Sequence, residues 1–136
     1  MDRATMLIEL YGYKKNPIDI SIKKWEDIID FLEKIEKKEI VVSPEAFKDI
    51  LQHLERGTKN CALCELYSEF GCSSCPIKKL TGKSWCRATP YEKWLYTEIS
   101  YRNIKELRQI AEEELKFLEN VKRSFQKSKE GGDKIC

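Results

Sequence analysis

The period of the apolar positions changes along the chain. Residues 5–13, TMLIELYGY, are apolar and aromatic in the manner of a strand. Lys14-Lys15-Asn16-Pro17 follows as a turn, and Ile18, Ile20 and Ile22 then alternate with polar residues. Alternation on both sides of a turn predicts an N-terminal β-hairpin, with Tyr11 and Tyr13 packing on its sheet. Past Ser21, a candidate N-cap, Trp25, Ile28, Ile29, Leu32 and Ile35 share one helical face while Lys and Glu fill the other. A core helix is expected from Ile22 to about Lys38. Glu39-Ile40-Val41-Val42 is a short β-branched run that offers a third strand. Ser43-Pro44 starts a second core helix, Ser as N-cap and Pro at the first helical position. This helix is expected to turn Phe47, Ile50, Leu51 and Leu54 inward and to stop at Gly57.

The second half of the chain is read the same way. Asn60 can cap a helix through Leu63, Leu66, Tyr67 and Phe70, with Gly71 as its stop. Thr89-Pro90-Tyr91-Glu92 has the form of a capping box with Pro at the first helical position, opening a helix that carries Trp94 and Leu95. A break near Ser100 and a continuous helix are both open. From there Ile104, Leu107, Ala111, Leu118, Val121 and Phe125 keep near-heptad spacing, with Leu115 beside the seam. That stripe needs a partner surface: the earlier helices of the same chain, or a second copy. The fold class expected is therefore α+β and helix-rich. It comprises a small N-terminal hairpin sheet, two core helices, a metal-type cysteine loop and a long C-terminal helix. Residues 1–126 form a single domain with a cysteine-cluster subregion at 60–94. Residues 127–136, polar and containing Gly131-Gly132, are expected to be a disordered tail.

Composition narrows the classes of function. At 136 residues the chain is long enough for one modest core. Its net charge of +2 does not announce a nucleic-acid or membrane partner. No apolar run is long enough to span a bilayer. Met6–Leu10 is too short for a signal-peptide core and contains Glu9, so the expected location is the cytoplasm of the host cell. Among the basic residues Lys far outnumbers Arg, and among the acidic residues Glu far outnumbers Asp, as in hyperthermophile proteomes.

The chemistry-bearing residues lie in one stretch. Five of the six cysteines fall between Asn60 and Trp94, as Cys61-x2-Cys64, Cys72-x2-Cys75 and Cys86. Two intervening residues let a tight turn aim both sulfurs at one point, and thiolates suit Zn²⁺ or an iron–sulfur cluster. A single tetrahedral zinc takes four of the five. If 60–71 is a helix, a rise of about 1.5 Å per residue sets Cys64 and Cys72 about 12 Å apart. Sulfurs on one zinc lie within about 4 Å of each other, given bonds near 2.3 Å. A helix therefore favours Cys61, Cys64, Cys75 and Cys86 as ligands, with Cys72 spare. A turn makes Cys72 the natural alternative ligand. Disulfides are the main rival, requiring no metal, and hyperthermophiles permit them inside the cell. Iron–sulfur ranks last because neither common ferredoxin spacing is present. His53, the only histidine, is read as a surface or boundary residue, and a Cys3His site requires the fold to bring it near.

The same stretch resembles a family of small uncharacterised proteins from phages, archaeal viruses and archaea. The resemblance rests on Cys61-Ala62-Leu63-Cys64, Cys72-Ser73-Ser74-Cys75-Pro76, Thr81-Gly82, Cys86 and Thr89-Pro90-Tyr91, in that order, and covers roughly a quarter of the chain. The family has no established activity. The resemblance implies a metal-type cysteine cluster and a mobile-element origin.

Three functional classes follow. The first is a non-enzymatic binding module with a structural cysteine cluster, because four protein ligands leave no open position for water or substrate. The second is nucleic-acid binding. Lys78, Lys79, Lys83 and Arg87 cluster around the cysteines, with Trp85, Tyr91, Trp94 and Tyr96 close in sequence, and such residues contact phosphates and stack on bases. Four basic residues in a loop are equally a solvated surface. The third, a thiol enzyme, is disfavoured: the CxxC pairs lack the βαβ surroundings of thioredoxin-like proteins, and no phosphate-binding Gly-rich loop, Ser-His-Asp set or HExxH motif occurs. A disulfide-stapled adaptor for a viral or host protein stays open.

Overall fold

The computed structural model describes residues 3–55, 62–67 and 89–130. All regular structure among them is helical. A short helix α1, Arg3–Leu7, runs on through a π-helical turn, Ile8–Gly12. Helix α2 spans Pro17–Glu36, α3 Pro44–Glu55 and α4 Ala62–Tyr67. Helix α5, Pro90–Tyr96, is followed by a 3₁₀ turn, Tyr101–Asn103, and by α6, Ile104–Glu130. Helix α2 is the hub, packing against α3, α4, α6 and the N-terminal segment, while α5 packs on α6.

The expected N-terminal hairpin is overturned, and with it the α+β class: no strand occurs among the described residues. Two physical causes account for this. Asn16, not Ser21, caps α2: its Oδ1 accepts from Ile18 N at 2.9 Å, and Pro17 takes the first helical position. The period-2 pattern of isoleucines comes from a helix buried on two sides. Ile18 and Ile20 stand about 200° apart at 100° per residue. Ile18 enters the main core, whereas Ile20 faces a second cluster with Met6, Leu10 and Ala62. Met6 and Leu10, four residues apart, are the buried face of the N-terminal segment. Tyr11 and Tyr13, expected to pack on a sheet, are 53% and 71% exposed. Ser21 is instead a buried residue in the second turn of α2.

The third strand does not form either. Helix α2 ends with Lys38 at φ 60°, Lys38 N donating to Ile35 O and Glu39 N to Lys34 O. These are the two bonds of a Schellman motif, with lysine where glycine is usual. Beyond it Ile40 and Val42 pack on the core while Val41 stands 88% exposed, in a segment with no strand beside it among the described residues.

Helix α3 starts as its sequence predicts, with Ala46 N donating to Ser43 Oγ at 3.1 Å. It buries Phe47 and Leu51 completely, half-buries Leu54 and leaves Ile50 partly exposed, correcting the inward placement of Ile50. The C-terminal helix forms, and the chain does break near Ser100. The stripe on α6 is covered by the chain itself: Leu107, Ile110, Ala111, Leu118 and Val121 are buried in the main core. The partner that the heptad pattern requires is chiefly α2. The side chain of Phe125 and residues 131–136 lie outside the described residues. Arg108 ties α6 to the end of α2 through Glu36 and bonds Glu112 on its own helix. These hydrogen bonds, Glu36 first, raise the pKa of its guanidinium.

Candidate functional site

The described residues that flank the cysteines are built into the helical platform. Helix α4, which follows Cys61 directly, lies at the seam between the two clusters. Ala62 is buried with Met6, Leu10 and Ile20, while Leu63 is buried in the main core. Glu65, one turn on, takes an ion pair from Arg3 at 3.0 Å on one carboxylate oxygen and a hydrogen bond from Tyr11 at 3.3 Å on the other. The N-terminal segment and α2 thus hold α4 from two sides.

The second anchor joins the last described residues before the cysteine stretch to the first after it. Glu55 closes α3, and Tyr91 stands in the first turn of α5. The Tyr91 hydroxyl donates to Glu55 Oε1 at 2.6 Å across 36 positions of sequence. Lys24 on α2, with its side chain 4% exposed, places Nζ 3.5 Å from the same oxygen and 5.5 Å from the centre of the Trp25 ring. Trp25 meets Tyr91 edge-on at 5.9 Å and Trp94 at 5.1 Å. Helices α2, α3 and α5 therefore converge on one half-buried carboxylate, one buried ammonium and three aromatic rings. A buried ammonium needs such partners, because desolvating its charge otherwise outweighs the attraction.

Pro90 opens α5 as expected, but the Thr89 side chain makes no cap bond, and Glu92 N donates to the Thr89 carbonyl at 3.1 Å. Thr89 is itself buried.

Of the predicted ligands, Cys64 lies on α4, which agrees with the helical reading of the start of this stretch. Cys61, Cys72, Cys75 and Cys86 lie outside the described residues, as do Lys78, Lys79, Lys83, Trp85 and Arg87, together with the expected helix stops Gly57 and Gly71. His53 is exposed on α3. Among the described residues no group of three or more His, Cys, Asp or Glu side chains could hold a metal ion. A groove of about 600 Å³ beside α2 and α6 has mixed charge, from Asp19, Glu26, Glu119, Lys122 and Arg123, and the Lys122–Asp19 ion pair ties its two helices.

Sequence reasoning placed Lys24 on the solvated face of α2. The signal for its burial was present: Ile20, Lys24 and Ile28 repeat every four residues, so the lysine interrupts an apolar row. Nothing in the sequence marked Glu55 or Glu65, whose roles depend on groups far away along the chain: Lys24 and Tyr91 for Glu55, Arg3 and Tyr11 for Glu65.

No protein-family model matches this chain, and neither a curated protein nor a solved structure shows significant similarity to it. Among the described residues no helix is long and apolar enough to cross a membrane.

Proposed function

We propose that this chain is a small, non-enzymatic binding module. Its helical platform carries a cysteine-rich stretch closed by a structural Zn²⁺ ion on Cys61, Cys64, Cys75 and Cys86, with Cys72 as the alternative ligand. The stretch presents Lys78, Lys79, Lys83 and Arg87, with Trp85 among them, to an anionic partner. The donor set fits the metal: thiolates are soft ligands, and four of them complete a tetrahedral zinc. The ion's contribution is to hold distant parts of the stretch together. Closure by disulfides is the alternative and leaves the same loop displayed. The reading places the protein in the cytoplasm of its host, and a viral or archaeal origin rests on the cysteine pattern.

The observation that supports this reading is the double anchoring around the stretch, by α4 on α2 and by Tyr91 on Glu55. A loop mounted on a rigid base loses less entropy when it binds than one mounted on a mobile chain. Nucleic acid is the first candidate partner, an acidic protein surface the second. The wild-type protein should bind single- or double-stranded DNA or RNA at low salt and release it as salt rises. Reversing Lys78, Lys79 and Lys83 to Glu should abolish binding with the melting temperature unchanged. No binding to any of these polymers by the wild type rules out the nucleic-acid partner.

A further inference from the structure

We infer that the turn ending the N-terminal segment is a stacking platform for single-stranded nucleic acid. Tyr11 and Tyr13 supply the rings, and Lys14 and Lys15 contact phosphates; this deepens the reading of nucleic acid as the partner and rests on it. The segment is apolar on both sides. Met6 and Leu10 face Ile20 and Ala62, whereas Ile8, Tyr11 and Tyr13 are 55%, 53% and 71% exposed. A helical segment that is apolar all round normally has both faces covered. The chemistry of the outer face says what covers it. Two of its three large side chains are aromatic, and the exposed Lys14 and Lys15 follow directly. Glu9, the one acidic residue in 3–16, is already paired with Lys15 at 3.3 Å. Rings beside unopposed positive charge complement a single strand, whose bases stack while its phosphates meet the lysines.

The turn is held in shape by its own bonds. Tyr13 N donates to Ile8 O at 2.9 Å and Lys15 N to Glu9 O at 3.0 Å, while Lys14 between them takes φ 53°. Lys15 Nζ lies 5.9 Å from the centre of the Tyr13 ring, so a cation backs one face and a base can take the other. The Tyr11 hydroxyl donates to Glu65 Oε1 at 3.3 Å, which orients that ring beside α4. Gly12 leaves a gap between the two tyrosines, bordered by Ile8: a Cβ on Gly12 would stand 3.6 Å from Ile8 Cγ2. A turn fixed in this way loses little entropy on binding. Other occupants fit less well. A duplex hides the faces of its bases. A second copy would need an interface of about 1,200 Å² or more, which six residues do not supply. A lipid surface would bring the Glu65 carboxylate, bonded to Tyr11, towards the acyl chains, where a charge is costly.

The test is fluorescence anisotropy on the full chain at low salt. The probes are labelled short single strands of DNA and RNA of mixed sequence, the duplex of the same sequence, and vesicles containing phosphatidylserine. The wild type should bind single strands more tightly than duplex. Tyr13→Leu keeps apolar bulk and loses the ring, and should weaken single-strand binding about tenfold, within the range for one lost base stack. Tyr13→Trp should bind at least as tightly as wild type. Lys14→Gln should lower the salt dependence by about one phosphate contact. All three positions changed are exposed, so the melting temperature should not move. Equal binding by Tyr13→Leu and wild type would overturn the platform and leave the basic-loop reading standing. A wild type that prefers duplex would overturn the platform in the same way. Binding to the vesicles but to no oligonucleotide would overturn it in favour of a lipid surface. A wild type that binds none of the probes would remove nucleic acid as the partner, and the platform with it.

Discussion

Helix α2 is buried on two sides, and the two sides differ in size and purpose. One faces a large cluster in which Trp25, Phe47, Leu51, Trp94 and the α6 stripe interlock. The other faces Met6, Leu10 and Ala62 through Ile20, a small cluster with Leu7 at its edge. The large side has aromatic pairs at 4.7–6.0 Å and contributions from α2, α3, α4, α5 and α6. The small side joins the N-terminal segment to the start of α4. Global stability should thus reside on the first side, while the second acts locally, fixing the helix that contains Cys64. Proteins commonly open in such units, with free energies well below that of global unfolding.

Truncating one residue on each side tests this division. Phe47→Ala removes a fully buried ring between Phe31 and Tyr101 and should cost about 3–5 kcal/mol, seen as a large fall in denaturant midpoint for the whole protein. Ile20→Ala should cost about 2 kcal/mol, at the low end for a buried aliphatic truncation. Its effect should be local: hydrogen exchange should accelerate in residues 3–12 and 62–67 while α2 and α6 keep their protection. Equal acceleration everywhere would show that the two sides form one cooperative unit. The smallest effect is expected at Lys38, which belongs to neither cluster and holds a left-handed φ of 60°. Lys38→Gly relieves that backbone strain and should raise stability by about 0.5 kcal/mol, partly offset by the greater freedom of glycine in the unfolded chain.

Much of the helical platform could be read from the sequence because its signals are local. Ser43-Pro44 starts α3, Pro90 starts α5, and the apolar row from Leu107 to Val121 buries as its spacing implies. The N-terminal segment was misread because its composition favours a strand while its burial follows Met6 and Leu10 at helical spacing. Tertiary packing against Ile20 decided between them, and that contact is not visible locally. Asn16-Pro17 was ambiguous in the same way, since Asn-Pro suits a turn and a helix start equally. Of the candidate site, the sequence revealed the cysteine pattern and the basic residues near it. It did not reveal the Lys24–Glu55–Tyr91 group, because such a cluster is defined by partners that only the fold brings together.

The most direct test of the central claim is native mass spectrometry of the purified protein, paired with a free-thiol count on the same sample. Closure by zinc predicts one Zn²⁺ per chain, lost on chelation together with a marked fall in melting temperature, because binding energy at a structural site is also folding energy. Closure by disulfides predicts a metal-free mass, a deficit of thiols and sensitivity to reductant in place of chelator. A metal-free protein with all six cysteines as free thiols and an unchanged melting temperature under both treatments would contradict the claim that the cysteine stretch is a closed unit on the helical platform.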